Sequence, residues 1–161
     1  MKYTRNSDLT HYETHRRDTN CGSYALRLNE WYRLNERFID KTDMFIEDWA
    51  YDEGSQGIPN SELTRVFGEV LLECLLEDFG DELEICDGAL PTSDNVELIV
   101  FNVFCRYSDE WDPCVDSDFH FKVFRNGKWM EKCGWGKVKE CEEHFWGIYT
   151  GEPVYLYHKL S

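Results

Sequence analysis

The sequence predicts one α+β domain spanning residues 1–161, with N-terminal helices packed on an antiparallel sheet. Three stretches carry that expectation. Ser61 to Phe79 place apolar side chains at helical spacing, Val96 to Tyr107 form a long β-branched and aromatic run, and Asn126-Gly127 separates two strand-like runs as the favoured two-residue hairpin turn. At 161 residues the chain can bury a sizeable core, and 16% aromatic residues argue against disorder despite 30% charge.

Residues 1–20 are polar and read as an irregular arm. From Cys21 to Phe38, the spacing of Tyr24, Ala25, Leu28, Trp31, Tyr32 and Leu34 predicts an amphipathic helix capped by Asn20 or Thr19. Gly22, one residue inside its start, leaves the cysteine uncrowded. Residues 39–60 suggest a short helix and then a turn-rich loop. The next helix runs from Ser61, its expected cap, to Phe79 and ends at Gly80; Leu63, Val66, Phe67, Val70, Leu71, Cys74 and Leu75 form its buried face. The period then changes to two. Leu83 and Ile85 mark a short strand, and Val96 to Tyr107, apolar on both parities, reads as a strand covered on both faces and hence central. Ser108 to Asp118 reads as an acidic loop. The Asn126-Gly127 turn pairs Arg125 with Lys128, Phe124 with Trp129, Val123 with Met130, Lys122 with Glu131, Phe121 with Lys132 and His120 with Cys133. Glu131 thereby becomes the diagonal neighbour of His120 on one face. Gly134-Trp135-Gly136 breaks the strand, Lys137 to Trp146 is a short helix or a loop, and Pro153 to Leu160 alternates as a terminal strand closing the sheet.

A net charge of −15 opposes direct binding to nucleic acid or to an anionic membrane, because phosphate contacts require cations. It leaves two readings: plain solubility, or an acidic surface that imitates nucleic acid and occupies a basic host protein's groove. The seven cysteines are an odd number behind a start with no apolar leader segment, and no apolar run is long enough for a membrane span. Free thiols in a reducing cytoplasm are therefore expected.

The chemistry-bearing stretch is Asp18-Thr19-Asn20-Cys21-Gly22-Ser23, which sets a cysteine at a helix start, a setting that favours a thiolate. Asp118-Phe119-His120-Phe121 places a histidine on a strand far along the chain, as nucleophile–base pairs that meet only in the fold require. Cys21 would be the nucleophile and its own N–H an oxyanion donor, His120 the base, and Glu131 the acceptor that orients the imidazole. Arg16 and Arg17 offset the acidic background. The competing reading makes Cys21 an ordinary small residue and His120 a hydrogen-bonded strand residue. Cys105, Cys114, Cys133, Cys141, His120 and His144 lack Cys-x-x-Cys or His-x-x-x-His spacing, so neither a metal nor a cofactor is predicted. His11, His15 and His158 read as surface residues. Trp129, Trp135, Trp146, Tyr149, Tyr155 and Tyr157 read as core and groove lining, able to hold a peptide-like substrate.

Asn20-Cys21-Gly22-Ser23-Tyr24-Ala25-Leu26 resembles the Asn-Cys-x-x-Tyr-Ala-Leu helix start of papain-like cysteine hydrolases of bacteria and phages, a group akin to the NlpC/P60 and CHAP families. Asp118 to Phe121 with Asn126 to Gly134 resembles their histidine strand, turn and Trp-containing return strand. The resemblance implies a cysteine-bearing helix on an antiparallel sheet that carries the histidine. It also implies a cytoplasmic, phage-borne thiol hydrolase cleaving amide, isopeptide or peptide bonds in a protein or peptide-like substrate. The orienting position, often His, Asn or Asp in those families, is Glu131 here. The competing class is a non-enzymatic acidic inhibitor of a basic host protein, and a third reading is a relic of the fold without activity.

Overall fold

The hairpin around Asn126 and Gly127 is the hub of the sheet. Their φ values, 54° and 77°, are the two positive angles of a type I′ turn, whose twist matches that of the flanking strands. The computed structural model describes residues 3–41, 44, 59–108 and 114–160. The sheet has six strands: β1 (Leu83–Cys86), β2 (Val96–Ser108), β3 (Cys114–Arg125), β4 (Lys128–Lys132), β5 (Val138–Glu140) and β6 (Val154–Lys159). Their order is β1-β6-β2-β3-β4-β5, and every neighbouring pair is antiparallel. The molecule is therefore α+β, as expected.

The expected hairpin register holds from Arg125↔Lys128 through Lys122↔Glu131. β2 is central, with Leu98, Ile99, Val100, Phe101 and Phe104 all buried. Three strand expectations change. Residues 114–118, read as loop, extend β3 and pair with β2, while 109–113 lie outside the described residues. The stretch from Lys137 contains β5, because Val138 and Lys139 pair with Lys132 and Glu131. The terminal strand β6 does not close an edge; it inserts between β1 and β2.

One face of the sheet carries the helices: α1 (His11–Thr14), α2 (Cys21–Leu26), α3 (helical residues 36–41) and α4 (Asn60–Phe79). Leu63, Phe67, Leu71 and Leu75 of α4 form one core with Ile99, Phe101 and Val103 of β2 and Phe121 of β3. The Thr64 hydroxyl donates to the Cys105 carbonyl and accepts from the Cys105 N–H, both at 3.1 Å, so helix and strand are also locked by polar contacts. Pro59, not Ser61, occupies the cap of α4. Gly80, with φ 54°, ends it. The expectations for 39–60 fall mostly outside the described residues.

The predicted helix from Cys21 to Phe38 is broken. α2 stops after Leu26 because Arg27 adopts φ 58° and ψ 50°, a left-handed terminator. Leu28 then pairs with Arg5 in an antiparallel bridge, which ties the arm to the core. The arm also contains α1, whose buried Tyr12 donates from its hydroxyl to the Leu28 carbonyl at 2.9 Å. A Cβ on Gly22 would lie 3.0 Å from Tyr32, so this glycine makes room for the Tyr32 side chain rather than for the cysteine. His158, read as surface, is fully buried, and among the described residues its ring nitrogens have no partner. Among the described residues no helix is long and apolar enough to cross a membrane.

Candidate functional site

Cys21 is placed by a capping box. The Asn20 carboxamide oxygen accepts from the Ser23 N–H at 2.9 Å, and the Asn20 N–H donates to the Ser23 hydroxyl at 3.0 Å. Asn20 also clamps Tyr32, donating from Nδ2 to its carbonyl at 2.7 Å and accepting its N–H at 3.1 Å. Asn20 thus fixes both the start of α2 and the wall beside it.

Lys132 holds the approach to Cys21. Alternation along β4 turns it towards the helices, where it is fully buried. Its ammonium donates to the carbonyls of Arg16 at 2.6 Å, Thr19 at 2.5 Å and Gly134. Among the described residues it has no carboxylate partner. Burial pulls its pKa down, while the nearby Cys21 thiol acts in the opposite direction.

The other end of α2 is held by Arg125 and Glu97. Arg125 donates to the Tyr24 and Ala25 carbonyls at 3.2 and 3.3 Å, satisfying the end of the helix. It also makes a two-pronged pair with Glu97 at 2.6 and 2.8 Å, and Arg27 makes a second at 3.0 Å in each contact. Burial opposes the Glu97 charge, but these guanidinium bonds outweigh it and hold the carboxyl at about 2.

His120 lies on the opposite parity of β3 from Phe119 and Phe121. Its Nε2 is 3.0 Å from Glu131 Oε2, and each side chain is only 12% exposed. The diagonal placement read from the turn has brought them together. The Cys21 thiol donates a long contact, 3.8 Å, to the Phe119 carbonyl, which brings it beside the same stretch of β3. Cys133, expected opposite His120, is exposed and donates to Glu131 Oε1 at 3.7 Å. Burial disfavours the charged imidazole, but the hydrogen-bonding influence of Cys133, Cys21 and Glu131 prevails and pushes its pKa up to about 11. The reciprocal bond from His120 lowers the Glu131 pKa against the effect of burial. Burial, with the nearby Glu131 charge, pushes the Cys141 thiol up to about 11.

The remaining wall comes from the segment after β5. Lys122 donates to the carbonyls of Glu142 and His144 at 2.6 and 2.7 Å, and Asn102 Nδ2 donates to that of Tyr149 at 3.0 Å. These bonds lay Phe145 and Tyr149 against the His120 ring, at centroid distances of 6.1 and 5.7 Å. The Tyr149 hydroxyl donates to Asp118 at 3.1 Å. Together these elements enclose a cleft of about 890 Å³ that contains Cys21, His120, Glu131 and Cys133 and is walled by Trp31, Tyr32, Phe145, Trp146 and Tyr149.

All three residues singled out from the sequence, Cys21, His120 and Glu131, therefore reach one cleft. Of the aromatic residues expected in core or groove, Tyr149 and the largely exposed Trp146 line it, whereas Trp135 does not. Sequence reasoning missed Lys132, Lys122 and Asn102 as the bonds that shape the cleft. For Lys132 a signal was present: the hairpin register set this cation on the same parity as Met130. The arrangement places a sulfur in the same cleft as an imidazole whose Nε2 is held by a carboxylate, in a largely apolar enclosure. The chain matches no protein-family model, no curated protein and no solved structure.

Proposed function

We propose that the protein is a thiol hydrolase acting on amide or peptide bonds, with Cys21 as nucleophile, His120 as proton carrier and Glu131 as the residue that orients the imidazole. The observation that carries this reading is the convergence of a thiol, an imidazole and a carboxylate from α2, β3 and β4 on one cleft. His120 takes the Cys21 thiol proton as the sulfur attacks the substrate carbonyl carbon and forms a C–S bond, while the Cys21 N–H donates to the oxyanion. His120 delivers a proton to the departing amine as the C–N bond breaks. Water then gives a proton to His120 and adds to the thioester carbonyl; the C–S bond breaks, the acid product leaves, and His120 returns the proton to the Cys21 sulfur.

The aromatic walls suit an extended peptide-like substrate. A cysteine-bearing helix preceding a histidine-bearing antiparallel sheet supports the papain-like resemblance. The free thiols of Cys21, Cys74, Cys86, Cys105, Cys133 and Cys141 support action in a reducing cytoplasm, the host's if the protein is phage-borne.

Fluorogenic peptide amides test the proposal. Wild type is expected to release the fluorophore and Cys21→Ala to release none, with Glu131→Gln slower by at least about tenfold. One observation favours a second reading: the net charge of −15 suits a non-enzymatic inhibitor that occupies a basic host protein's groove. Absence of turnover by wild type, with capture of a basic protein that survives Cys21→Ala and weakens steeply with salt, would replace catalysis by binding.

A further inference from the structure

We propose that His120, Glu131 and Cys133 form a binding site for a thiophilic divalent cation, with zinc as the representative ion. One ligand atom from each residue, imidazole nitrogen, carboxylate oxygen and thiol sulfur, lies within 4.8 Å of the other two. His120 Nε2 is 3.0 Å from Glu131 Oε2, and Cys133 Sγ is 3.7 Å from Glu131 Oε1. Around a tetrahedral zinc, bond lengths of about 2.0–2.3 Å set neighbouring ligand atoms roughly 3.3–3.8 Å apart. The separations, from 3.0 Å to no more than 4.8 Å, span that spacing, so small side-chain rotations would close the site.

The donor set selects the metal. One nitrogen, one sulfur and a single carboxylate suit zinc and disfavour calcium or magnesium, which require several oxygen ligands. Glu131 on β4 and His120 on the adjoining β3 are preorganised by the sheet, and Cys133 follows the end of β4 by one residue. His120 and Glu131 are mostly shielded, whereas the exposed Cys133 gives the ion access from solvent. Lys139, 3.8 Å from Glu131 Oε1, is 60% exposed and free to swing aside. A fourth position is left to solvent. Ligands drawn from two strands and the residue that follows the second also explain why no short spacing motif announces the site in the sequence.

Bound zinc would occupy His120 and Glu131 and so silence Cys21; that consequence rests on the thiol-hydrolase reading, whereas the binding site does not. Cobalt titration of the reduced, metal-free full chain separates the two. A single cobalt ion should bind with a sulfur-to-metal charge-transfer band, and added zinc should displace it. Cys133→Ser should abolish the band while circular dichroism shows an unchanged fold, and His120→Ala should weaken binding by at least about tenfold. Cys21→Ser should leave band and affinity unchanged. Absence of the band in wild type, its survival in Cys133→Ser, or its loss in Cys21→Ser would each overturn the assignment, whatever the outcome of the hydrolysis assays.

Discussion

The two ends of α2 are held by opposite means. At its last turn charge meets charge: Arg125 and Arg27 enclose Glu97, and Arg125 also satisfies the helix carbonyls. Before its first turn the buried cation Lys132 meets, among the described residues, neutral carbonyls. The cluster joins two guanidinium groups to one carboxylate, and its remaining positive charge is turned onto the carbonyls that end the helix. A cation held by carbonyls keeps its field, and Cys21 lies within its reach. One end thus anchors the fold, while the other positions the cysteine and adds positive charge beside it in a strongly acidic protein.

The largest effect should come from breaking the ion cluster. Arg125→Met takes the side-chain donor from the Tyr24 and Ala25 carbonyls and leaves Glu97 with Arg27 alone, and urea unfolding should show a loss of about 3–5 kcal/mol. A loss under about 1 kcal/mol would remove the cluster from its anchoring role.

Acid should sharpen the contrast. Burial pushes the His158 pKa from 6.5 down to about 4, and the guanidinium bonds hold Glu97 at about 2 against an ordinary 4.5. In both cases the unfolded chain binds protons more readily. Stability should therefore fall as pH drops from 6.5 towards 4 through His158, and fall again from 4.5 towards 2 through Glu97. Arg125→Met should flatten the second limb, and Lys132→Met should leave both limbs in place. Thermal unfolding across pH checks both expectations.

Lys132→Met should cost less stability, about 2 kcal/mol, but should slow alkylation of Cys21. Lost stability with an unchanged alkylation rate would make Lys132 a scaffold residue only. The smallest effect belongs to Gly22→Ala, which forces Tyr32 aside and should cost about 1 kcal/mol in chemical denaturation.

The hairpin was legible because Asn126-Gly127 permits one turn geometry, and that geometry sets Glu131 diagonal to His120 without reference to the rest of the chain. α4 was legible because its core face repeats over five turns. The break after Leu26 was not legible: the apolar spacing continues through Tyr32 and Leu34, and only tertiary contacts reveal the stop. Tyr32 is instead held by the Asn20 side chain, and Arg27 turns out to reach Glu97. His158 was misread because strand alternation shows parity but not what covers a face. Cys21 and His120 were visible as candidates from their local settings, while the Phe145 and Tyr149 wall depends on Lys122 and Asn102, whose partners are backbone carbonyls carrying no side-chain signature.

The central claim, that Cys21 is a nucleophile served by His120, is tested most directly by iodoacetamide labelling with mass-spectrometric mapping of each cysteine in wild type and His120→Ala. Cys21 is predicted to be modified first in wild type and at least about tenfold more slowly in the variant, while Cys86 is modified equally in both. Equal Cys21 rates in the two proteins, or rapid modification of Cys133 with Cys21 left intact, would contradict it.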